Sequence, residues 1–249
     1  MKYALISDIH ANLPALQAVL ADIRERQIET VLHIGDLVGY APWPNETVQL
    51  LLDSGIDGVA GNYDSTVATD YKHCGCHYTD PHQQELAHLS YQWTRENVTP
   101  DTKAALGRLP FRLDVSPFGG HTSGPRVILV HGTPTLNTQY WYEHRSDEFC
   151  LSMAVKAGAK QGDVIAFGHT HLPWAREIDG IRFINTGSVG RPKDGDWRAG
   201  YVALDVTESG ATSEYLRVEY DVQLGAKAIR ASSLPSEFAD YLLAGGRPQ

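Results

Sequence analysis

The sequence predicts an α/β (α+β) fold in which two mixed β-sheets pack together with helices outside. Three observations lead there. From Tyr3 to Ala60, apolar runs of strand length alternate with amphipathic helical stretches, the pattern of parallel strands joined by right-handed crossovers. The last third is strand-rich, with Asp179-Gly180 as a hairpin signal. Finally, short polar motifs carrying acids, an amide and imidazoles follow the most apolar runs, where buried strands of α/β folds hold their ligands.

The first strand, Tyr3 to Ile6, precedes Asn12 as N-cap and Pro14 in a first turn. Leu13, Leu16, Val19, Leu20 and Ile23 then recur at helical spacing to about Arg26. Val31 to Ile34 is a second strand, Pro44 to Leu52 a helix stopped by Gly55, and Ile56 to Ala60 a third strand. Residues 65–80 are polar and without a period. Asp80-Pro81 opens a helix bearing Leu86, Leu89 and Trp93, and Thr99-Pro100 opens a shorter one ending at Gly107. Residues 65–108 therefore read as a small helical insertion that caps the site. Phe111 to Val115 and Arg126 to Val130 are strands around a Gly-, Pro- and Ser-rich loop, Ser116 to Pro125. A helix near Asp147 to Ala157 follows. The remaining strands are Val164 to Phe167, Trp174 to Ile178, Ile181 to Asn185, Tyr201 to Asp205 and Ser213 to Glu219. Residues 1–243 are expected to form a single domain, and 244–249 a frayed tail.

The 249 residues suffice for a full core, and 42% hydrophobic with 20% charged residues is an ordinary globular composition. A formal net charge of -9 argues against general nucleic-acid binding, since phosphate backbones select basic surfaces. The N-terminus lacks a signal-like apolar stretch, and no run approaches the ~20 residues of a membrane span. Three cysteines, an odd number, argue against a disulfide framework and for the reducing cytoplasm.

The motifs are Asp8-Ile9-His10, Gly35-Asp36, Gly61-Asn62, His131-Gly132 and Gly168-His169-Thr170-His171. Each alone is an ordinary turn sequence; the ordered set is specific. Their carboxylates, amide oxygen and imidazoles suit two borderline divalent ions that share a carboxylate. Asp36 is the natural bridge. Asp8, His10 and His171 would complete one ion, and Asn62, His131 and His169 the other. His169 and His171, one residue apart at a strand end, point to different sides and can serve different ions. Without thiolate the set suits Mn²⁺, Fe or Zn²⁺.

In this order DxH, GDxVGY, GNxD, HG and GHTH resemble the calcineurin-like metallophosphoesterase superfamily, from Met1 to about Asp205. Gly35 to Glu46, Asn185 to Pro192, Asp194-Gly195-Asp196 and Arg198 resemble a compact bacterial and archaeal branch related to YfcE-type phosphodiesterases. The resemblance implies a four-layer αββα sandwich and the same ligands: Asp8, His10, Asp36, Asn62, His131, His169 and His171. It also implies a phosphodiesterase or phosphatase that uses two divalent ions, Mn²⁺ foremost, and a hydroxide bridging them for in-line attack on phosphorus. The partner is then a small-molecule phosphoester or nucleotide. An asymmetric dinucleoside polyphosphate hydrolase is the alternative, and a non-catalytic metal-dependent binding protein a further one.

One departure matters. Most of the superfamily reads GNH at the third motif, and that His can protonate the leaving group. Here Tyr63 stands in its place, and a phenol with an ordinary pKa of ~10 is a weak donor near neutrality. Either Tyr63 packs over the site, or the substrate has a leaving group, such as phosphate or an aryl oxide, that needs no strong acid. Asp64, the usual partner of that His, is then structural.

His73-Cys74-Gly75-Cys76-His77 admits a solvated loop, His73 or His77 folded back as acid or phosphate binder, a third metal site, or a reactive thiol pair. Arg191 and Arg198 are candidates for phosphate, whereas Lys193 between them reads as solvated charge. Tyr140, Trp141 and Tyr142 suit either base stacking or packing. His33 and Cys150 read as core, and His121 and His144 have no assigned role.

Overall fold

A computed structural model of the chain describes residues 1–119 and 124–246. Its first part contains β1 (Lys2–Ile6), α1 (Leu13–Glu25), β2 (Thr30–His33), α2 (Pro44–Asp53), β3 (Asp57–Gly58) and α3 (Asn62–Ala68). Next come α4 (Pro81–Asn97), α5 (Pro100–Leu106), β4 (Arg112–Val115), β5 (Val127–Val130), α6 (Asp147–Ala157) and β6 (Val164–Phe167). The chain continues through β7 (Trp174–Ile178), β8 (Ile181–Asn185), β9 (Ala199–Thr207), β10 (Gly210–Val218), α7 (Val222–Ala231) and α8 (Glu237–Leu243).

The strands form two five-stranded sheets, ordered β10-β9-β1-β2-β3 and β4-β5-β6-β8-β7. In the first, β1, β2 and β3 run parallel, and β9 and β10 return as an antiparallel hairpin. In the second, β5, β6 and β8 run parallel between antiparallel β4 and β7. Both sheets are mixed, as expected.

Side-chain alternation builds the layers. Tyr3 and Leu5 of β1 meet Val127, Leu129, Val164 and Ala166 in a core between the sheets. Ala4 and Ile6 face the other way, into a core shared with α1, α2, α7 and α8. Ile128, Val130, Ile165 and Phe167 point outward onto Trp141 and Met153, the latter on α6. Three cores separate four layers, the αββα sandwich expected. The central strands are buried on both faces, which is why β5 and β6 read as unbroken apolar runs.

Residues of the 65–108 segment, including Leu86, Tyr91 and Leu106, join the outer core of the first sheet beside Tyr40, Tyr63 and Phe238. Three features depart from expectation. The third strand is only two residues long: Val59 N–H still donates to His33 O of β2, but Ala60 N–H turns to Pro110 O. The polar stretch after Asn62 begins as helix α3, whose N-terminus is held by the Asp64 carboxylate on Gly61 N–H at 2.9 Å. Helices α7 and α8 were not anticipated, although Asp221 caps α7 on Leu224 N–H at 2.9 Å.

Gly245 and Gly246 are tied to Gly195 and Tyr241 through main-chain hydrogen bonds, so these two residues are not frayed. Residues 247–249 and His121 lie outside the described residues. Among the described residues no helix is long and apolar enough to cross a membrane.

Candidate metal centre

The motif residues collect where the parallel strands of both sheets end. Asp8 and His10 follow β1, Asp36 follows β2, Asn62 opens α3, His131 follows β5, and His169 and His171 follow β6. Asp8, His10, Asp36, His169 and His171 all have left-handed backbones, with φ of 51°, 49°, 53°, 66° and 60°. Such a conformation costs an L-residue roughly 1–2 kcal/mol. It breaks the strand alternation and swings these side chains toward one locus. Hydrogen bonds between motifs hold the turns: Asp8 N–H to Gly35 O at 3.0 Å, His10 N–H to Asp36 O at 3.0 Å and His169 N–H to Asp8 Oδ2 at 3.0 Å. Gly61 lies against Asp36, and Gly168 against Ser7 and Asp8, so closely that a Cβ at either position would overlap them.

Two groups result, Asp8–His10–His171 and Asp36–His131–His169, with the ligand atoms of each within 4.8 Å of one another. Asp8 Oδ1 is 3.2 Å from His171 Nε2 and 3.8 Å from His10 Nε2. Asp36 Oδ2 sits between the groups, 3.4 Å from His131 Nε2 and 3.7 Å from His10 Nε2. Asn62 Oδ1 lies 3.2 Å from His131 Nε2. His169 and His171 fall in different groups.

The proton inventory shows what the centre fits. His10, His131 and His171 each place Nδ1 on a main-chain carbonyl, of Val38 at 3.0 Å, Ile34 at 2.7 Å and Arg191 at 2.6 Å. A carbonyl only accepts, so Nδ1 carries a proton and Nε2 turns inward. His10 Nε2 and His171 Nε2 face each other at 3.2 Å. Asp8 Oδ1 and His169 Nε2 are buried without a hydrogen-bond partner among the described residues. Converging lone pairs on residues no more than 4% exposed fit divalent cations.

Electrostatics agrees. Burial holds His10 and His169 down at about 3, and His171 is lowered first by burial and then by Lys193 and Arg191. Burial would also lower His131, but the charge of Asp36 outweighs it and raises this imidazole to about 10.

The side chains around the third motif separate by role. Asn62 donates Nδ2 to Cys74 O at 2.9 Å, leaving Oδ1 for the centre. Tyr63 is fully buried. Its hydroxyl lies 3.4 Å from both Ala87 O and Ser90 Oγ, its ring packs edge-on to His10, and burial raises its pKa. Asp64 accepts from Leu37 N–H and Gly61 N–H, each at 2.9 Å, and is raised by burial and by Asp36.

The 71–80 loop touches Asn62 through Cys74 O and, at 3.4 Å, through Cys76 Sγ, while His73 and His77 are exposed. Cys74 and Cys76 are paired as a disulfide across Gly75, although the odd cysteine count argued against a disulfide framework; Cys150 is free and buried. Among the described residues no third ligand cluster includes this loop.

The basic residues are sorted differently from the sequence reading. Arg198 is engaged by Asp196 at 2.6 Å, with its side chain 41% exposed. Arg191 lies over Tyr40, 3.8 Å from ring centroid to Cζ, with Nη1 buried and unpartnered. Lys193, taken as solvated charge, instead sits 5.5 Å from the Tyr78 ring, and its charge bears on Asp8 and His171. Neighbouring residues explain the difference: Asp194 and Asp196 are occupied by Arg198 and Arg217, and Lys193 turns inward with no salt bridge among the described residues. Tyr140 stacks on His169 at 4.3 Å, Tyr142 on Tyr140 at 5.7 Å and His144 on Tyr142 at 5.5 Å. Trp141 belongs to the outer core.

Residues 1–209 match the model of the calcineurin-like phosphoesterase superfamily domain. Protein MJ0912 of Methanocaldococcus jannaschii is 31% identical over 257 residues, 97% of each chain. Phosphodiesterase YfcE of Escherichia coli is 27% identical, covering 82% of this chain and 88% of its own. The crystal structure of a metallophosphoesterase from Sphaerobacter thermophilus superposes with a TM-score of 0.75 at 26% identity, covering 98% of this chain and 99% of the other. Sequence, fold and ligand geometry thus agree: the chain belongs to the calcineurin-like phosphoesterase superfamily, in its compact YfcE-related branch.

Proposed function

We propose that this chain is a metal-dependent phosphoric ester hydrolase working with two divalent ions bridged by Asp36. Asp8, His10 and His171 would hold one ion, and Asn62, His131 and His169 the other. The observation that carries this reading is the inward convergence of Nε2 atoms on Asp8 and Asp36, with Asp8 Oδ1 and His169 Nε2 left unpartnered. When bound, the two ions supply a nucleophilic hydroxide at neutral pH and neutralise charge developing on the phosphoryl oxygens.

The chain's own residues set what is attacked and how. The Asn62 amide is held by Cys74 O, which keeps its oxygen aimed inward. Arg191, with a buried free donor, is assigned to substrate phosphate. Tyr63 donates no proton to a leaving group, since its hydroxyl is turned to Ala87 and Ser90. Substrates with good leaving groups follow, a phosphodiester or phosphoanhydride, and the name of the relative YfcE, a phosphodiesterase, is consistent with the first. The aromatic stack His169–Tyr140–Tyr142–His144 supports a second reading, dinucleoside polyphosphate hydrolysis, by placing aromatic surface for a base beside the centre.

Reconstitution with Mn²⁺, Fe²⁺ or Zn²⁺, then a panel of monoesters, aryl diesters, cyclic nucleotides and dinucleoside polyphosphates, tests this. Mn²⁺ is expected to support the highest turnover. Full metal loading without turnover of any member would leave a metal-dependent binding protein instead.

A further inference from the structure

Two cations beside the centre, Arg191 and Lys193, have no salt-bridge partner among the described residues, the acid acting on Lys193 being the candidate ligand Asp8. The acids of their loop, Asp194 and Asp196, are held by Arg217 and Arg198. Both cations face aromatic rings instead. Arg191 lies 3.8 Å from the Tyr40 ring centroid and 5.6 Å from that of Phe238, and Lys193 lies 5.5 Å from that of Tyr78. The Tyr78 hydroxyl closes the group at 3.2 Å from Tyr40 Oη, and it also hydrogen-bonds Arg191. Both cations are half-buried, with Arg191 Nη1 itself buried, and drawing unpaired charge out of water is costly unless an anion joins it.

Their position is equally specific. The main-chain oxygen of Arg191 receives His171 Nδ1 at 2.6 Å, and Tyr40 under its guanidinium stands edge-on to His10 at 4.9 Å. The group therefore borders the Asp8–His10–His171 half of the centre. Burial alone would raise the Tyr78 phenol, yet Lys193 and Arg191 bring it below its ordinary range, as expected beside uncompensated positive charge.

We propose that Arg191, Lys193 and the Tyr78 hydroxyl form a subsite for a second phosphoryl group, the departing phosphate of a phosphoanhydride substrate. This rests on the hydrolase reading above and names its substrate class. Water adds through its oxygen to the attacked phosphorus and the bridging P–O bond breaks. The electron pair leaves on the departing phosphate, which takes the second proton of the water while its charge is met by Arg191 and Lys193. A phosphate leaves without strong acid assistance, which accords with the absence of an imidazole at Tyr63.

Calorimetric binding of two non-hydrolysable probes, methylenediphosphonate and methylphosphonate, to Mn²⁺-reconstituted protein tests the subsite without turnover. The diphosphonate is expected to bind at least about tenfold tighter. Lys193→Met should remove most of that preference with metal content unchanged, and Tyr78→Phe, which keeps the ring, should reduce it about threefold. Equal binding of the two probes to the unmodified protein, or a preference untouched by both variants, overturns the subsite even if aryl diesters are hydrolysed. Failure of the hydrolase reading shows separately, as absent turnover at full metal loading, while the probe preference still decides the subsite.

Discussion

Asn62 donates its side-chain amide to the main-chain oxygen of Cys74 at 2.9 Å, so the loop after α3 aims a candidate ligand. A freely rotating amide would present nitrogen as readily as oxygen to a cation; this bond removes that choice. Asn62→Leu, similar in size but without the oxygen, is expected to empty the His131–His169 side and retain the other ion at lower affinity. Elemental analysis after dialysis should give about one ion per chain in place of about two. Retention of both would remove Asn62 from the ligand set.

Asp36 stands between the two groups, and a carboxylamide there would offer one acceptor oxygen and no charge. Asp36→Asn should weaken both sites together and lower turnover by at least about 100-fold. If only one ion is lost, the carboxylate is terminal rather than bridging.

Metal loading should release protons. In the metal-free protein His131 is raised to about 10 by Asp36, outweighing burial. The contribution of this pair to stability is therefore fully present below the unfolded value of ~6.5 and fades as pH rises through about 10. A cation at Nε2 must displace that proton, so apparent affinity at this site should climb about tenfold per pH unit within the window. Calorimetry in buffers of different ionisation enthalpy should detect about one proton released near pH 8. Constant affinity from about pH 7 to 9 would show that no such proton is displaced.

Replacing Tyr63 should leave the chemistry almost alone. Its hydroxyl makes long contacts, at 3.4 Å, with Ala87 O and Ser90 Oγ, and it also interacts with Tyr40. Tyr63→Phe is expected to cost about 1 kcal/mol of stability in denaturant unfolding and to change turnover of an aryl diester less than about threefold. His73→Ala and His77→Ala, at exposed positions, should likewise stay within about twofold and keep both ions. A loss confined to poor leaving groups in either His variant would bring that imidazole into the reaction.

The candidate ligand clusters and the layered fold were legible because both are written locally. An apolar run followed by Gly-Asp or Gly-His specifies a buried strand and the turn that ends it, and those turns hold Asp8, His10, Asp36, His169 and His171 in left-handed conformations. Sequence alone also identified residue 63 as the departure from the family pattern. The αββα layering follows from apolar residues that alternate faces along strands such as Lys2–Ile6, while others are apolar throughout.

Tertiary structure decided the surroundings. Whether Arg191, Lys193 or Arg198 turns toward the centre depended on Asp194, Asp196 and Arg217 competing for charge, and Arg217 comes from β10, far along the chain. The loop after Asn62 contributes a carbonyl and Tyr78 rather than its conspicuous histidines, because main-chain atoms and half-buried rings carry no motif. Partners such as His171 and the carbonyl of Arg191, or Tyr63 and Ser90, meet only when sheets and helices pack. A residue's type sets what chemistry it can offer; which groups surround it, and so which charges it must balance, is fixed by segments distant in sequence.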